Sequence, residues 1–173
     1  MYLDDVTDAA ARLLADAYTA HAPACRLYAR SLTPEADDAA HEAFVRLARR
    51  LAAGESMPDV PRAWLLTAVR SAALDARRKS RRRQAREVAA FGAEPPLRLF
   101  EAGDALDAQT AETALMRLPA RQREAVILRL WGELGFEAIA QVTGVTTSTA
   151  QPDYVSAIRQ LQLHLGEGTD DER

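Results

Sequence analysis

Between Leu118 and Thr149 the chain is punctuated in a way that leaves little choice of fold. Pro119 suits a first helical position, where its missing N–H costs nothing. Phe136, Ile139 and Ala140 recur at i, i+3 and i+4 and share one helical face. Gly144 follows that short segment as a left-handed stop, and the run Thr146, Thr147, Ser148, Thr149 offers N-caps to a further helix. Helix, short helix, glycine turn and helix is the spacing of a helix-turn-helix. Such a unit presents its second helix to a DNA major groove. Thr147, Ser148, Thr149 and Gln151 are then the expected duplex-facing residues. Pro152 and Asp153 lie inside the same helix and work against that use.

The rest of the chain agrees with an all-α fold. Ala, Leu and Arg dominate and aromatic residues make up only 6%, as helical proteins require. A length of 173 residues fits one domain or two small ones. The single cysteine, Cys25, excludes an internal disulfide framework and fits a reducing cytosol. His21, His41 and His164 have no cysteine partners at metal spacing, so no metal site is expected. No apolar run approaches membrane-spanning length, and the acidic N-terminus is wrong for a secretory signal. The expected location is cytoplasmic.

The net charge of −3 hides a strong asymmetry. Residues 1–60 carry net −4, residues 61–90 net +7 and residues 91–173 net −6. A localised basic stripe, not the overall balance, is the footprint of nucleic-acid binding.

The N-terminal half reads as four helices. The first, over about 4–20, would bury Ala10, Leu13, Leu14, Ala17 and Tyr18; the second, over about 24–32, turns Tyr28 and Leu32 inward. Thr33, Pro34 and Glu35 look like an N-cap, a first-position proline and a dipole-favoured acid. The third helix runs to about Leu51 with Ala40, Phe44, Leu47 and Leu51 on one stripe. After a loop, the fourth begins near Trp64 and runs into Arg77-Arg78-Lys79-Ser80-Arg81-Arg82-Arg83. Residues 92–103, with Pro95-Pro96, lack helical periodicity and read as a linker. Leu97, Leu99 and Phe100 within it either dock in a partner's groove or pack on the chain's own surface. The expectation is two small helical domains, 1–91 and 104–165, joined by that linker. The second is the helix-turn-helix domain, and an acidic tail follows over 166–173.

On the fourth helix Leu65, Val69, Ala72 and Ala76 face a core, while Arg70, Arg77 and Arg81 fall on another stripe with Arg78 and Arg82 on its flank. Clustered guanidinia on one face suit phosphate oxygens, although a solvated charge run has the same look. The third helix carries the opposite sign: Asp37, Asp38, His41 and Glu42 cluster away from Phe44. An acidic patch repels DNA and suits a basic protein surface, or is simply a solvated face.

With these segments in order, the chain resembles the extracytoplasmic-function sigma factors of bacterial RNA polymerase. The segment from Ala36 to Leu47 looks like their polymerase-binding helix. Pro61 to Asp75 with the arginine run is similar to their promoter-melting helix, and the helix-turn-helix resembles their C-terminal domain. The likeness spans about residues 10–165. It implies that Asp38, His41 and Glu42 meet core RNA polymerase. It also implies that Arg70, Ser71, Asp75, Arg77, Arg78, Arg81 and Arg82 lie at the melted minus-ten promoter DNA, and that the loop over 52–59 is where the family captures an unstacked base. His41 stands where the family usually has Gln, and Ser71 where it usually has Asn. The family allows for an anti-sigma factor as a further partner, and it needs no cofactor and no catalytic residue.

Three readings compete with a promoter-specificity subunit. A stand-alone helix-turn-helix regulator would need a basic recognition helix, which Pro152 and Asp153 oppose. A sigma-like adaptor would use its C-terminal domain to bind protein instead of the upstream promoter element. A hydrolytic enzyme lacks support, since His41-Glu42 has no second His at zinc-protease spacing and no glycine-rich phosphate loop occurs. In the second helix of the helix-turn-helix, the stripe Ala150, Tyr154, Ile158, Leu161, Leu165 passes through Pro152 in phase. One kinked helix, or a turn restarting at Pro152, is expected there.

Overall fold

The computed structural model describes residues 2–86, 97–99 and 106–167. Among them the chain forms seven helices and no strand: α1 (Tyr2–Arg30), α2 (Ala36–Ala52), α3 (Pro61–Arg86), α4 (Leu106–Arg117), α5 (Ala120–Leu130), α6 (Phe136–Thr143) and α7 (Thr147–Glu167). The N-terminal half therefore holds three helices where four were expected. Residues on both sides of Pro23 belong to one helix, α1, with the proline inside it and exposed. A proline ring removes one backbone bond, but the apolar partners Ala22, Cys25 and Ala29 on the buried face hold the helix together across it.

The α1–α3 bundle packs on small and branched side chains. Ala17, Cys25, Tyr28 and Ala29 of α1 meet Ala40, Ala43, Phe44 and Leu47 of α2, and Leu65, Leu66, Val69 and Ala73 of α3 close the core. The α2 stripe is buried as expected, and so are Tyr28 and Leu32. Leu13 and Tyr18 are not: both are more than two-fifths exposed, on the flank of a face whose Ala10, Leu14 and Ala17 pack on the core. Tyr18 instead lies against Phe44 at 4.8 Å between ring centroids and takes the Arg26 guanidinium over its ring. Cys25 is 1% exposed, and burial pushes its thiol up to about 12, a shift that the Arg62 charge only partly opposes.

Helix starts shift by a residue or two from the expectations. Thr33 does not cap α2 as its N-cap; its hydroxyl accepts the Glu35 N–H at 3.3 Å and donates to the Glu35 carboxylate at 2.6 Å. The helix opens at Ala36. Pro119 stands just before α5, in extended conformation, and its carbonyl accepts the Arg123 N–H. The fourth expected helix starts earlier than foreseen, at Pro61, and stays helical through the arginine run.

In the C-terminal half, α5, α6 and α7 surround Val126, Ile127, Leu128, Ile139, Ala140, Val142, Ala150 and Ala157. Gly144 ends α6 at φ 73°, and its N–H and that of Val145 return to the Ala140 carbonyl. That is the left-handed stop the sequence predicts. α7 is a single helix from Thr147, with no restart at Pro152. Of the expected linker, residues 97–99 are described. Leu99 is buried to 1%, its N–H donating to the Glu112 carboxylate at 2.6 Å and its carbonyl accepting from Arg30 at 3.4 Å. Leu99 thus packs on the chain's own surface, and Phe100 lies outside the described residues.

Candidate polymerase and nucleic-acid interfaces

α2 turns a polar face outward because its apolar residues all point to α1 and α3. Asp37, Asp38 and His41 are exposed, and Glu42 is half-buried in an i, i+4 pair with Arg46 at 3.0 Å. Asp37 and Asp38 also sit in the first turn, where they complement the helix dipole. The candidate trio is divided. Asp38 and Glu42 border a mixed-charge groove against α3, with Asp75, Lys79 and Arg83 opposite. His41 joins Asp37 on the other flank, facing Arg26, Arg30 and Phe44.

The basic helix α3 is divided along its length. Arg78, Arg81, Arg82 and Arg83 are exposed, and Arg77 is half-buried. Asp75 reaches back to Arg78 at 3.3 Å, an exposed i, i+3 pair that leaves the guanidinium accessible. Arg70 is different. Its Nε donates to the Glu124 carboxylate of α5 at 2.8 Å, and the same oxygen accepts the Tyr28 hydroxyl at 2.7 Å. Glu124 is 8% exposed along its side chain. Burial works to lower the Arg70 pKa, but the bond and charge of Glu124 outweigh it and the net shift is upward. Burial, followed by the Glu124 charge and hydrogen bond, raises the Tyr28 phenol well above its ordinary value. Ser71, exposed, lines a cleft with Trp64 and Thr67 of α3 and Gln141 and Val142 of α6.

A second crossing lies at the start of α3. Arg62 donates to the His21 ring at 3.4 Å and to the Gly132 carbonyl at 3.3 Å, and forms an ion pair with Glu133. Burial, then the Arg62 charge, lowers the His21 pKa.

In the helix-turn-helix, Thr147, Ser148 and Gln151 are exposed and Thr149 is half-buried. The Thr146 hydroxyl lies 2.9 Å from those of both Ser148 and Thr149, and its carbonyl accepts from the N–H groups of Thr149 and Ala150. Asp153 does not face outward as a lone anion. It is paired with Arg121 of α5, and behind it Gln122 of α5 bonds Ser156 and Gln160 of α7. The pair corrects the view of Asp153 as an uncompensated charge beside phosphates.

The sequence reading missed Tyr28 as a polar partner, Arg62, Arg121, Glu124 and Glu133. The one local signal was Glu124 itself, an acid leading directly into the apolar run Ala125-Val126-Ile127-Leu128. A carboxylate at such a place needs a partner. Among the described residues no group of His, Cys, Asp and Glu is placed to hold a metal ion, and no helix is long and apolar enough to cross a membrane.

Two family models match the chain. The family model of sigma-70 region 2 matches residues 2–83 and that of sigma-70 region 4 matches residues 108–153. No curated protein sequence matches the chain. The sigma factor RpoE of Bartonella quintana, solved with the anti-sigma factor NepR, is similar in structure with a TM-score of 0.69 and 26% identity. That match covers 86% of this chain and 94% of RpoE. CnrH, solved with the cytosolic domain of CnrY, gives a TM-score of 0.64 over 95% of both chains at 21% identity, a likeness of fold. With both sigma-70 regions in order on an all-helical chain, the protein belongs to the sigma factors of bacterial RNA polymerase, in their extracytoplasmic-function branch.

Proposed function

We propose that this sigma factor divides its work by charge: α2 meets core polymerase, α3 meets the melted minus-ten DNA, and the helix-turn-helix approaches the upstream element. The observation that carries this reading is that charge is sorted by helix: α2 exposes Asp37, Asp38 and His41, and the end of α3 exposes Arg78, Lys79, Arg81, Arg82 and Arg83. Asp38, His41 and Glu42 are the polymerase contacts. Ser71, Asp75, Arg77, Arg78, Arg81 and Arg82, together with Arg70, are the promoter contacts. Thr147, Ser148, Thr149 and Gln151 are the duplex contacts. The working units are 1–91 and 104–165, with 92–103 as linker and 166–173 as tail. The protein recruits and opens and is not itself an enzyme, it acts in the cytoplasm, and an anti-sigma factor is a fitting antagonist, since both structural neighbours were solved with one partner each.

One observation favours a second reading of the C-terminal domain. Its outward row Thr147, Ser148 and Gln151 carries no cation, and the flanking Arg121 is committed to Asp153. Such a face binds duplex weakly unless tethered, and it would also serve an adaptor that docks on protein.

The test is assembly with core polymerase followed by promoter opening. Reversing Asp38 and Glu42 to Lys is expected to weaken the complex with helical content unchanged. Arg77→Ala with Arg78→Ala is expected to leave assembly intact, impair opening, and lower the salt slope of DNA binding by about 0.7–0.9 for each phosphate no longer neutralised. Wild-type behaviour of both variants would remove these faces from the two interfaces.

A further inference from the structure

The side chains of α7 divide into those that hold the domain together and those that look out. Ala150, Tyr154, Ala157, Ile158 and Leu161 pack on the core, and the Tyr154 ring meets Phe136 edge-on at 5.6 Å between centroids. On one flank Asp153 is held by Arg121 and Ser156 by Gln122. The outward row is Thr147, Ser148, Gln151, Pro152, Val155 and Arg159. Val155 lies in the middle of it, an apolar side chain 41% exposed.

A helix in the major groove reads base edges with the residues near its N-terminus. Each base asks for a different chemistry there. Guanine is read by the paired donors of Arg or Lys, and from Thr147 to Ile158 α7 has neither. Cytosine is read by an acid that accepts from its amino group. The one acid in these turns is Asp153, and both of its oxygens are engaged by Arg121. Adenine is read by an amide that accepts from N6 and donates to N7. Gln151 is such an amide, exposed and outside both the Thr146 hydroxyl cluster and the Gln122 network. Thymine offers a methyl group, which an apolar side chain covers; Val155 and the exposed Pro152 ring are the two in the row. The hydroxyls of Thr147 and Ser148 serve any base and do not bias the choice.

The spacing fits as well. Gln151 and Val155 lie four residues apart, about 6 Å along the axis, which spans about two base-pair steps of 3.4 Å. Arg159 stands about 12 Å beyond Gln151, about the width of the groove, and so meets phosphate at its wall.

We propose that α7 is a reader of A·T pairs: Gln151 spans the N6 and N7 edge of an adenine, Val155 and Pro152 cover thymine methyl groups, and no guanine or cytosine is read by this helix. The assignment rests on the reading of the helix-turn-helix as the domain that approaches the upstream element, and it names the bases that element holds. It also gives Pro152 a use, since the ring that costs α7 a backbone bond supplies apolar surface to the groove.

The experiment uses the full chain assembled with bacterial core polymerase. The probes are duplexes with a randomised upstream element and a minus-ten region kept as an unpaired bubble, so that loading does not depend on melting. Selection should enrich adjoining A·T pairs and fix no G·C pair. On the selected element, uracil in place of the contacted thymine should weaken binding about fourfold, the effect of one methyl group left uncovered. 7-Deazaadenine in place of the contacted adenine should weaken it about tenfold, as loss of a bidentate pair does. Val155→Ser should bind the thymine and uracil elements alike, and Gln151→Ala the adenine and 7-deazaadenine elements alike, both at unchanged helical circular dichroism. Discrimination that survives in these variants overturns the two assignments. Enrichment of an element built on a fixed G·C pair overturns the A·T reading while leaving the domain a duplex reader. No enrichment at all overturns it together with the duplex role, in favour of a domain that docks on protein.

Discussion

Asp153 takes the Arg121 guanidinium side-on, with one carboxylate oxygen 3.1 Å from Nε and the other 3.1 Å from Nη2. The pair joins α5 to the last helix of the domain across 32 positions of sequence. It fixes the azimuth of α7 on α5, the angle that decides which side chains of α7 look outward.

Asp153→Ala and Arg121→Ala should each lower the thermal midpoint slightly, and the double variant by less than the two effects together, since the second change removes nothing further. Asp153→Asn should in addition release Arg121 to phosphate. The salt slope of duplex binding is expected to steepen by about 0.9, the value for one more neutralised phosphate. Additive losses in the cycle would show that the two side chains do not act as a unit.

Pro152 is exposed inside α7, so its replacement costs no packing. Pro152→Ala returns an N–H that can reach the Ser148 carbonyl, and interior helical prolines cost up to about 3 kcal/mol. The urea midpoint should rise with the m-value unchanged. A midpoint at or below that of the wild type would mean that the helix is shaped around its proline.

Alkaline pH should destabilise the fold through Tyr28. Burial, then the Glu124 carboxylate, holds the phenol in its neutral form in the folded protein. The unfolded chain releases that proton near pH 10, so the folded state binds more protons above that point and stability falls as pH rises through it. Cys25 acts in the same direction, its thiol raised from 9.0 to about 12. Tyr28→Phe should be less stable at neutral pH, having lost a hydrogen bond to a charged group. Its stability should then fall less steeply than that of the wild type above pH 10. Parallel curves from urea unfolding across pH 8–11 would take Tyr28 out of the coupling.

What can be read from the sequence is whatever repeats locally. Ala40, Phe44, Leu47 and Leu51 recur at helical spacing, and a glycine must stop α6 at Gly144, so both are legible residue by residue. Pro23 misleads because a proline reads as a break when only its neighbours are seen, and the buried face that carries α1 through it belongs to other helices. The interdomain contacts are out of reach for a plainer reason. Glu124 meets Arg70 and Tyr28 at separations of 54 and 96 positions, and no local pattern encodes such a meeting. Asp153 looks like an unpaired charge in sequence for the same reason: its partner sits a whole helix-turn-helix earlier. The chemistry of the two arginine sets on α3 is identical in sequence, and only packing tells the covered set from the exposed one.

The buried thiol of Cys25 gives the chain an internal clock. As the sole cysteine, held within the α1–α3 bundle and far above its ordinary pKa, it reacts with a thiol reagent only through excursions that expose α1 itself. The rate of modification therefore counts the excursions that expose that face of α1, and the unaltered protein can report on its own integrity without an added probe.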